Sequence, residues 1–358
     1  MNESRDPWGN KSWPSSTAPP RPWESDSYRF GNLPPSKPTP PSQIPLRRTL
    51  RQNANCVCAA LALVFAVGPA FLFVIFRLRQ LFPGFDRAIL DLSPAGVGII
   101  NMGIFALALL LPTLIILRFL QIPLYVAFPM RRAPASITVP GVFCTLGMSV
   151  AGVYIAAILT VIISTAAGVT PSMPDFSPPA YGRAETIIFL ISISVFPAVF
   201  EELLFRGVIL QSLRRFGDPF ALICSSILFA MLHRNLIQGP NALLTGLVLG
   251  YFTLRSGSLI PAMVAHFVNN FMAGFMSVIM VHLPERYAQI LNFSVIPTYL
   301  ALGAIGLIAM SLQKDKFVPL RQNLTGLFEW QKYLLFFTSP LTLVFIFFTI
   351  LATRQFIG

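Results

Sequence analysis

Charge is scarce in this sequence. Asp, Glu, Lys and Arg together make up 11% of its 358 residues, where a soluble domain carries about 25%. That shortage excludes the pair of soluble domains that length alone would allow. Acidic residues are the rarer sign, 14 against 26 basic ones, for a net charge of +12. The basic residues lie between apolar runs or beside them and not on a polar domain, which fits anchoring at a membrane surface and excludes nucleic acid as a partner. Cysteine is nearly absent too. Cys56, Cys58, Cys144 and Cys224 are scattered through apolar stretches and read as small apolar filler, not as a disulfide framework or a thiolate metal site.

Apolar residues fill the space left by charge, at 54% of the chain. Val57–Phe76, Gly96–Leu117 and Val142–Ala167 contain no charged residue; roughly 20 such residues cross ~30 Å of hydrocarbon as a helix. They lack the polar stripe of a soluble core helix. The expected architecture is an all-α polytopic transmembrane bundle of about eight to nine spans, near residues 54–76, 95–118, 140–166, 185–215, 219–237, 241–255, 259–281, 294–312 and 333–352. Residues 1–52 differ in kind. Their Pro/Ser-rich composition, as in Pro34-Pro35-Ser36-Lys37-Pro38-Thr39-Pro40-Pro41, predicts a disordered tail ahead of a membrane domain over 53–358. With no apolar stretch near Met1, no cleavable signal peptide is expected. Arg118, Arg131, Arg132, Arg214, Arg215, Arg255, Lys314, Lys316, Arg321 and Lys332 fall on one side of the predicted spans. The positive-inside rule then predicts a cytoplasmic tail, and the plasma membrane is the expected location.

Ionisable groups inside spans are costly and need a reason. Here they concentrate in one third of the chain: Glu201, Glu202 and Arg206 in the fourth segment, His233 in the fifth, His266 and Asn270 in the seventh. Counted along helices from their expected ends, Glu201 and His233 both lie roughly 20 Å deep, and His266 and Asn270 roughly 12 to 18 Å. Glu202 and Arg206 are spaced i,i+4 and can pair on one face, as can His266 and Asn270. Glu201 points about 100° away from Glu202 and needs a different partner. Phe229, one turn before His233, is placed to wall it. A bland reading stands beside this one: Glu202–Arg206 as a buried ion pair that only locks helices together.

Known intramembrane chemistries are narrowed by what is missing. There is no H-E-x-x-H zinc helix. No aspartate pair lies within the spans, since Asp175 and Asp218 fall in connections, and Gly257-Ser258 lacks the surroundings of a rhomboid nucleophile. Glutamate and histidine acting on water remain.

The order and spacing of these residues resemble a known family. Glu201-Glu202-Leu203-Leu204-Phe205-Arg206 fits E-E-x-x-x-R, Phe229–His233 fits F-x-x-x-H, and His266–Asn270 fits H-x-x-x-N. Together they resemble the three motifs of the CPBP family, the type II CAAX prenyl endopeptidases and the bacteriocin-processing proteins similar to them, over a core at about 185–282. The resemblance implies an intramembrane endopeptidase acting on a peptide or protein substrate, lipidated or not, near the cytoplasmic side of the bilayer. Glu201 would be the general base on a water shared with His233, His266 and Asn270 would stabilise the oxyanion, and Glu202 and Arg206 would hold the frame. No cofactor is favoured. A zinc version with Glu201, His233 and His266 as ligands is the alternative, disfavoured because the histidines lack the paired spacing of zinc helices. Two other function classes compete: a transporter or proton-coupled permease using the midplane Glu/His cluster, and a non-catalytic scaffold. No internal repeat supports the first, and the second has no use for Glu201.

Overall fold

Proline, serine and glycine punctuate the apolar runs and decide where helices begin and end. In the computed structural model, Ser93 accepts a hydrogen bond from the Gly96 amide at 3.1 Å and Pro94 takes the first helical position, where an amide proton would have no helical partner. Gly168 and Gly257 end their helices in the left-handed conformation, which a residue without Cβ adopts at no steric cost. The structure describes residues 43–82, 93–174, 182–313 and 326–357, with Pro178 and Leu320. In chain order the elements are α1 Gln43–Ala62, α2 Val64–Leu81, α3 Pro94–Leu120, the single turn α4 Leu124–Ala127, α5 Ala135–Ala167, α6 Arg183–Phe216, α7 Asp218–Leu232, α8 Gln238–Ser256, α9 Ile260–His282, α10 Glu285–Ser311, α11 Glu329–Phe337 and α12 Pro340–Arg354. Among the described residues the only extended pairing is one bridge between Pro171 and Ile357, so the protein is an all-α helical bundle.

Among the described residues, six segments are long and apolar enough to cross a membrane: Leu46–Leu81 (most of α1 with α2), α3, α5, α6, α9 and α10. The pair α11 and α12, bent by 67° at their junction, makes a seventh if counted as one. This corrects the expected eight to nine. The two surplus segments, near 219–237 and 241–255, are helical but do not qualify as spans. Helix α7 has 15 residues and reaches about 22 Å, short of a ~30 Å core. Helix α8 carries Gln238, Asn241, Thr245 and Arg255, which dilute its apolar character. The two form an antiparallel hairpin leaning on α5. In the six spanning segments only 11% to 33% of the most apolar window is buried within the protein. Leu72, Phe119, Val161 and Phe293 point outward, an apolar surface that is stable against lipid and not against water. The protein is therefore a multi-pass membrane protein.

Helix α1 begins at Gln43, inside the stretch 1–52 that composition assigns to the tail. Its sequence explains the difference. Leu46, Leu50, Ala54 and Val57 recur at helical spacing and are buried, while Arg47, Arg48 and Arg51 lie on the opposite side, an amphipathic pattern that averages over polar and apolar residues conceal. Residues 1–42 lie outside the described residues.

The bundle has one basic end. Arg214 pairs with Asp218 at 2.8 Å, and buried Lys332 of α11 donates to the Phe216 carbonyl at 2.7 Å and pairs with Glu329 at 2.8 Å. At the far end of the α7–α8 hairpin from its tip, Arg255 donates to Gln313 at 2.6 Å, and Ser258 donates to the Arg131 carbonyl at 2.7 Å. Four of the residues expected on one side, Arg131, Arg214, Arg255 and Lys332, are thus tied to neighbouring elements; Lys314, Lys316 and Arg321 lie outside the described residues. The hairpin's other end reaches the middle of the bundle. Asn241, near its tip, packs backbone to backbone on Gly152, about halfway along α5, so closely that a Cβ at Gly152 would collide with the Asn241 backbone. Gly152→Ala is expected to destabilise the protein by about 1–3 kcal/mol through overpacking. Gly103→Ala, whose added methyl meets open space, is expected to be neutral or slightly stabilising. Melting temperatures of the two purified variants in detergent check the contrast.

Candidate active site

Helix α6 is not a uniform α-helix. Wide π-helical turns at Ile191–Val195 and Leu203–Ile209 flank the α-helical stretch Phe196–Glu202. Such turns insert an extra residue per turn and rotate the residues beyond them, and they concentrate at functional sites. Each has a carbonyl to which a side chain of another helix donates: Asn270 Nδ2 to Ile193 at 3.2 Å, Ser225 Oγ to Phe205 at 2.8 Å. The span expected over 185–215 is helical throughout, but it widens where hydrogen bonds from neighbouring helices, invisible in the local pattern, reach its carbonyls.

Glu202 sits at the centre of the buried network. Its Oε1 accepts from Arg206 Nη1 at 2.7 Å and from His266 Nδ1 at 2.8 Å. Glu202 is 0% exposed and Arg206 1%, so neither charge is hydrated and each depends on the other. Arg206 also donates through Nη2 to the Gly246 carbonyl of α8 at 3.2 Å and lies 4.4 Å over the Phe229 ring of α7. One guanidinium thereby ties together α6, α7 and α8, and Glu202 extends the tie to α9.

Glu201 is placed differently. It is buried, makes no hydrogen bond among the described residues, and brings Oε2 to 3.8 Å from His266 Nε2, too long for a direct hydrogen bond. The two adjacent glutamates therefore present one engaged carboxylate and one available carboxylate on either side of the same imidazole. A carboxylate only accepts when ionised, so the proton of that His266–Glu202 bond is on Nδ1 and Nε2 faces Glu201.

His233 closes α7 and stands in the turn after it, not within a span as the segment 219–237 implied. The left-handed Arg234 (φ 58°) breaks the helix there, and Asn235 holds the turn with bonds to the His233 carbonyl at 2.8 Å and to Gln238 Oε1 at 2.7 Å. His233 Nδ1 lies 2.9 Å from the Phe229 carbonyl. A carbonyl only accepts, so Nδ1 carries the proton and Nε2 is left with its lone pair. The Phe229 ring touches His233 edge-on at 4.9 Å between centroids and His266 at 6.0 Å, so it spaces the two histidines as well as walling the first. Asn270, one turn beyond His266, is committed through one N–H to Ile193 and accepts from Asn269 at 3.2 Å. Its other N–H is not engaged among the described residues. His282 stands at the exposed end of α9, outside this cluster.

The structure thus brings Glu201, Glu202, Arg206, Phe229 and His266 into direct contact, joins His233 to them through Phe229, and sets Asn270 one helical turn away. Among the described residues no three His, Cys, Asp or Glu side chains gather so as to hold a metal ion.

Residues 183–272, from the first residue of α6 to just past Asn270, match the model of the type II CAAX prenyl endopeptidase Rce1-like family. That segment is Rce1-like. No curated protein and no solved structure matches the chain. The matched segment contains every candidate site residue. Its residues that sequence reasoning missed are supports: the Gly246 and Ile193 carbonyls, Ser225, and the Asn235–Gln238 turn. A backbone carbonyl has no side-chain identity to read, and Ser225 looks like any small helix residue. The single available signal was Asn235, two residues after His233, where Asn often caps a following helix.

Proposed function

We propose that the protein is an intramembrane endopeptidase in which Glu201 activates water. One observation carries this reading above the rest: of two adjacent buried glutamates, Glu202 is held by Arg206 and His266, while Glu201 makes no hydrogen bond among the described residues and faces the same histidine. A carboxylate spared from structural work in an apolar interior has a use, and general-base catalysis is the one that suits it. The membership of residues 183–272 in an Rce1-like family supports proteolysis as the reaction class.

In this proposal water sits between Glu201 Oε2 and the lone pair of His233 Nε2. Glu201 takes a proton as the water oxygen attacks the scissile carbonyl. His266, through Nε2 in its doubly protonated form, and the second N–H of Asn270 donate to the oxyanion that forms, worth more in a site that excludes water. Collapse of the tetrahedral intermediate returns the proton from Glu201 to the leaving amine. Glu202 fixes the His266 ring by accepting from Nδ1, so it is a positioning residue as well as part of the frame. The substrate class we infer is a peptide cut near its C-terminus, in the manner the family name CAAX prenyl endopeptidase describes, with a lipid chain as an added feature to be tested. The basic end of the bundle would face the cytoplasm.

The test is cleavage of quenched-fluorescent peptides by the full-length protein in liposomes. Wild type is expected to cleave, and His233→Ala to lose about 10²–10⁴-fold in kcat. Undiminished turnover in His233→Ala would remove the proposed water site. Dialysis against a chelator is expected to leave turnover unchanged; loss that zinc restores would assign water activation to a metal instead.

A further inference from the structure

Arg234 is the feature that neither the network nor the proposed reaction uses. It follows His233 directly, its backbone is left-handed at φ 58°, and its side chain is exposed. A non-glycine residue there carries strain of about 1–2 kcal/mol, so glycine would serve the turn better unless the side chain is needed. The guanidinium stands 5.9 Å over the Phe65 ring of α2. Phe65 is itself packed against Phe345 and Phe348 of α12, at 5.8 Å and 6.1 Å between centroids, a fixed aromatic platform that holds the cation in place. Among the described residues, no carboxylate pairs with Arg234.

Its depth makes this unusual. The hairpin tip that carries Arg234 lies against Gly152, near the middle of α5. Phe65 stands near the middle of the span Leu46–Leu81, just after the break at Leu63, and Glu201 near the middle of Arg183–Phe216. Half of a ~30 Å hydrocarbon core is about 15 Å, too far for an arginine side chain to carry its charge to either surface. An unpaired cation at that depth, beside a candidate catalytic histidine, calls for an anionic partner.

We propose that Arg234 binds the C-terminal carboxylate of the peptide substrate and so sets where the chain is cut. The inference rests on the peptidase reading above and deepens it. A guanidinium matches a carboxylate through two parallel hydrogen bonds. Because Arg234 adjoins His233, the bound carboxylate would lie only a few residues from the scissile bond, at about 3.3–3.6 Å per extended residue. Arg234 is then a specificity residue for short C-terminal fragments and takes no part in water activation.

Binding, not turnover, is the test, so that it does not depend on catalysis. Full-length Glu201→Gln protein in nanodiscs is titrated with two fluorescein-labelled, S-farnesylated peptides ending in Cys-Val-Ile-Met, one with a free C-terminal carboxylate and one with a carboxamide. The free acid is expected to bind about tenfold or more tighter. Adding Arg234→Gly should abolish the difference by weakening the acid alone, while the melting temperature holds or rises because glycine relieves the strained turn. Arg234→Lys should keep part of the preference. Equal affinity for acid and amide in the protein with Arg234 intact would overturn the proposal. So would a preference that survives Arg234→Gly, or an equal loss on both peptides, which would mark a role in folding or lipid contact. An acid preference in a protein whose wild type cleaves nothing would sink the peptidase reading and leave the carboxylate site standing.

Discussion

Glu201→Gln is expected to abolish peptide cleavage while leaving the protein as stable as wild type. The substitution preserves shape and removes the base, and the loss is expected at about 10²–10⁴-fold in kcat. Stability is expected to hold because Glu201 contributes no hydrogen bond to the fold among the described residues, and its contact with His266 is a 3.8 Å approach. Glu202→Gln, one residue along, should behave in the opposite way. It weakens two charge-assisted bonds at once, to Arg206 and to His266, so it should lower the melting temperature as well as activity. The pair of variants, measured by proteoliposome cleavage and by thermal unfolding in detergent, separates a chemical carboxylate from a structural one. Retained cleavage in Glu201→Gln, or an equal loss of stability in both, would contradict the division of labour drawn here.

Arg206→Ala should cost about 3–5 kcal/mol of stability, because it strands the Glu202 charge in a fully buried position. The effect spreads through three helices: Glu202 loses its counter-charge, Gly246 its donor and Phe229 the cation over its face. Lysine should rescue poorly, since a single ammonium lacks the planar fork that reaches both Glu202 and Gly246 and covers the ring. Arg206→Met combined with Glu202→Gln should recover part of the loss by removing both buried charges together. The fraction of monodisperse protein on size exclusion and the unfolding midpoint report the outcome. A melting temperature for Arg206→Ala equal to that of wild type would show that the network is dispensable to the fold.

Much of this site is legible in residue order and spacing. The pairing of Glu202 with Arg206 follows from i,i+4 spacing, and the shared face of His266 and Asn270 follows likewise. Nine apolar segments are expected and all nine are helical in the structure. Three features are not legible. Counting segments overstates the spans, because α7 and α8 are helices of the right pattern but the wrong length or polarity. The helix end at Leu232 depends on the Arg234–Asn235 turn, where no glycine or proline announces a break. The start of α1 at Gln43 hides under a composition dominated by the proline and serine before it.

What the sequence by itself determined is the membrane setting and the set of chemical groups: apolar runs too long and too uncharged for water, and five ionisable side chains with Asn270 and Phe229 placed at related depths along three of them. These are local properties, readable from residue type and the helical repeat. The i,i+4 spacing to Arg206 already marks Glu202 as the paired glutamate. That His266 stands between the two, with Nδ1 on Glu202 and Nε2 toward Glu201, was decided only by the tertiary structure, through how α9 is rotated against α6. That rotation depends on two wide turns held by side chains from other helices, and each residue of phase turns a side chain by about 100°. The groups are written in the chain, but their partners are fixed by packing between helices distant in sequence.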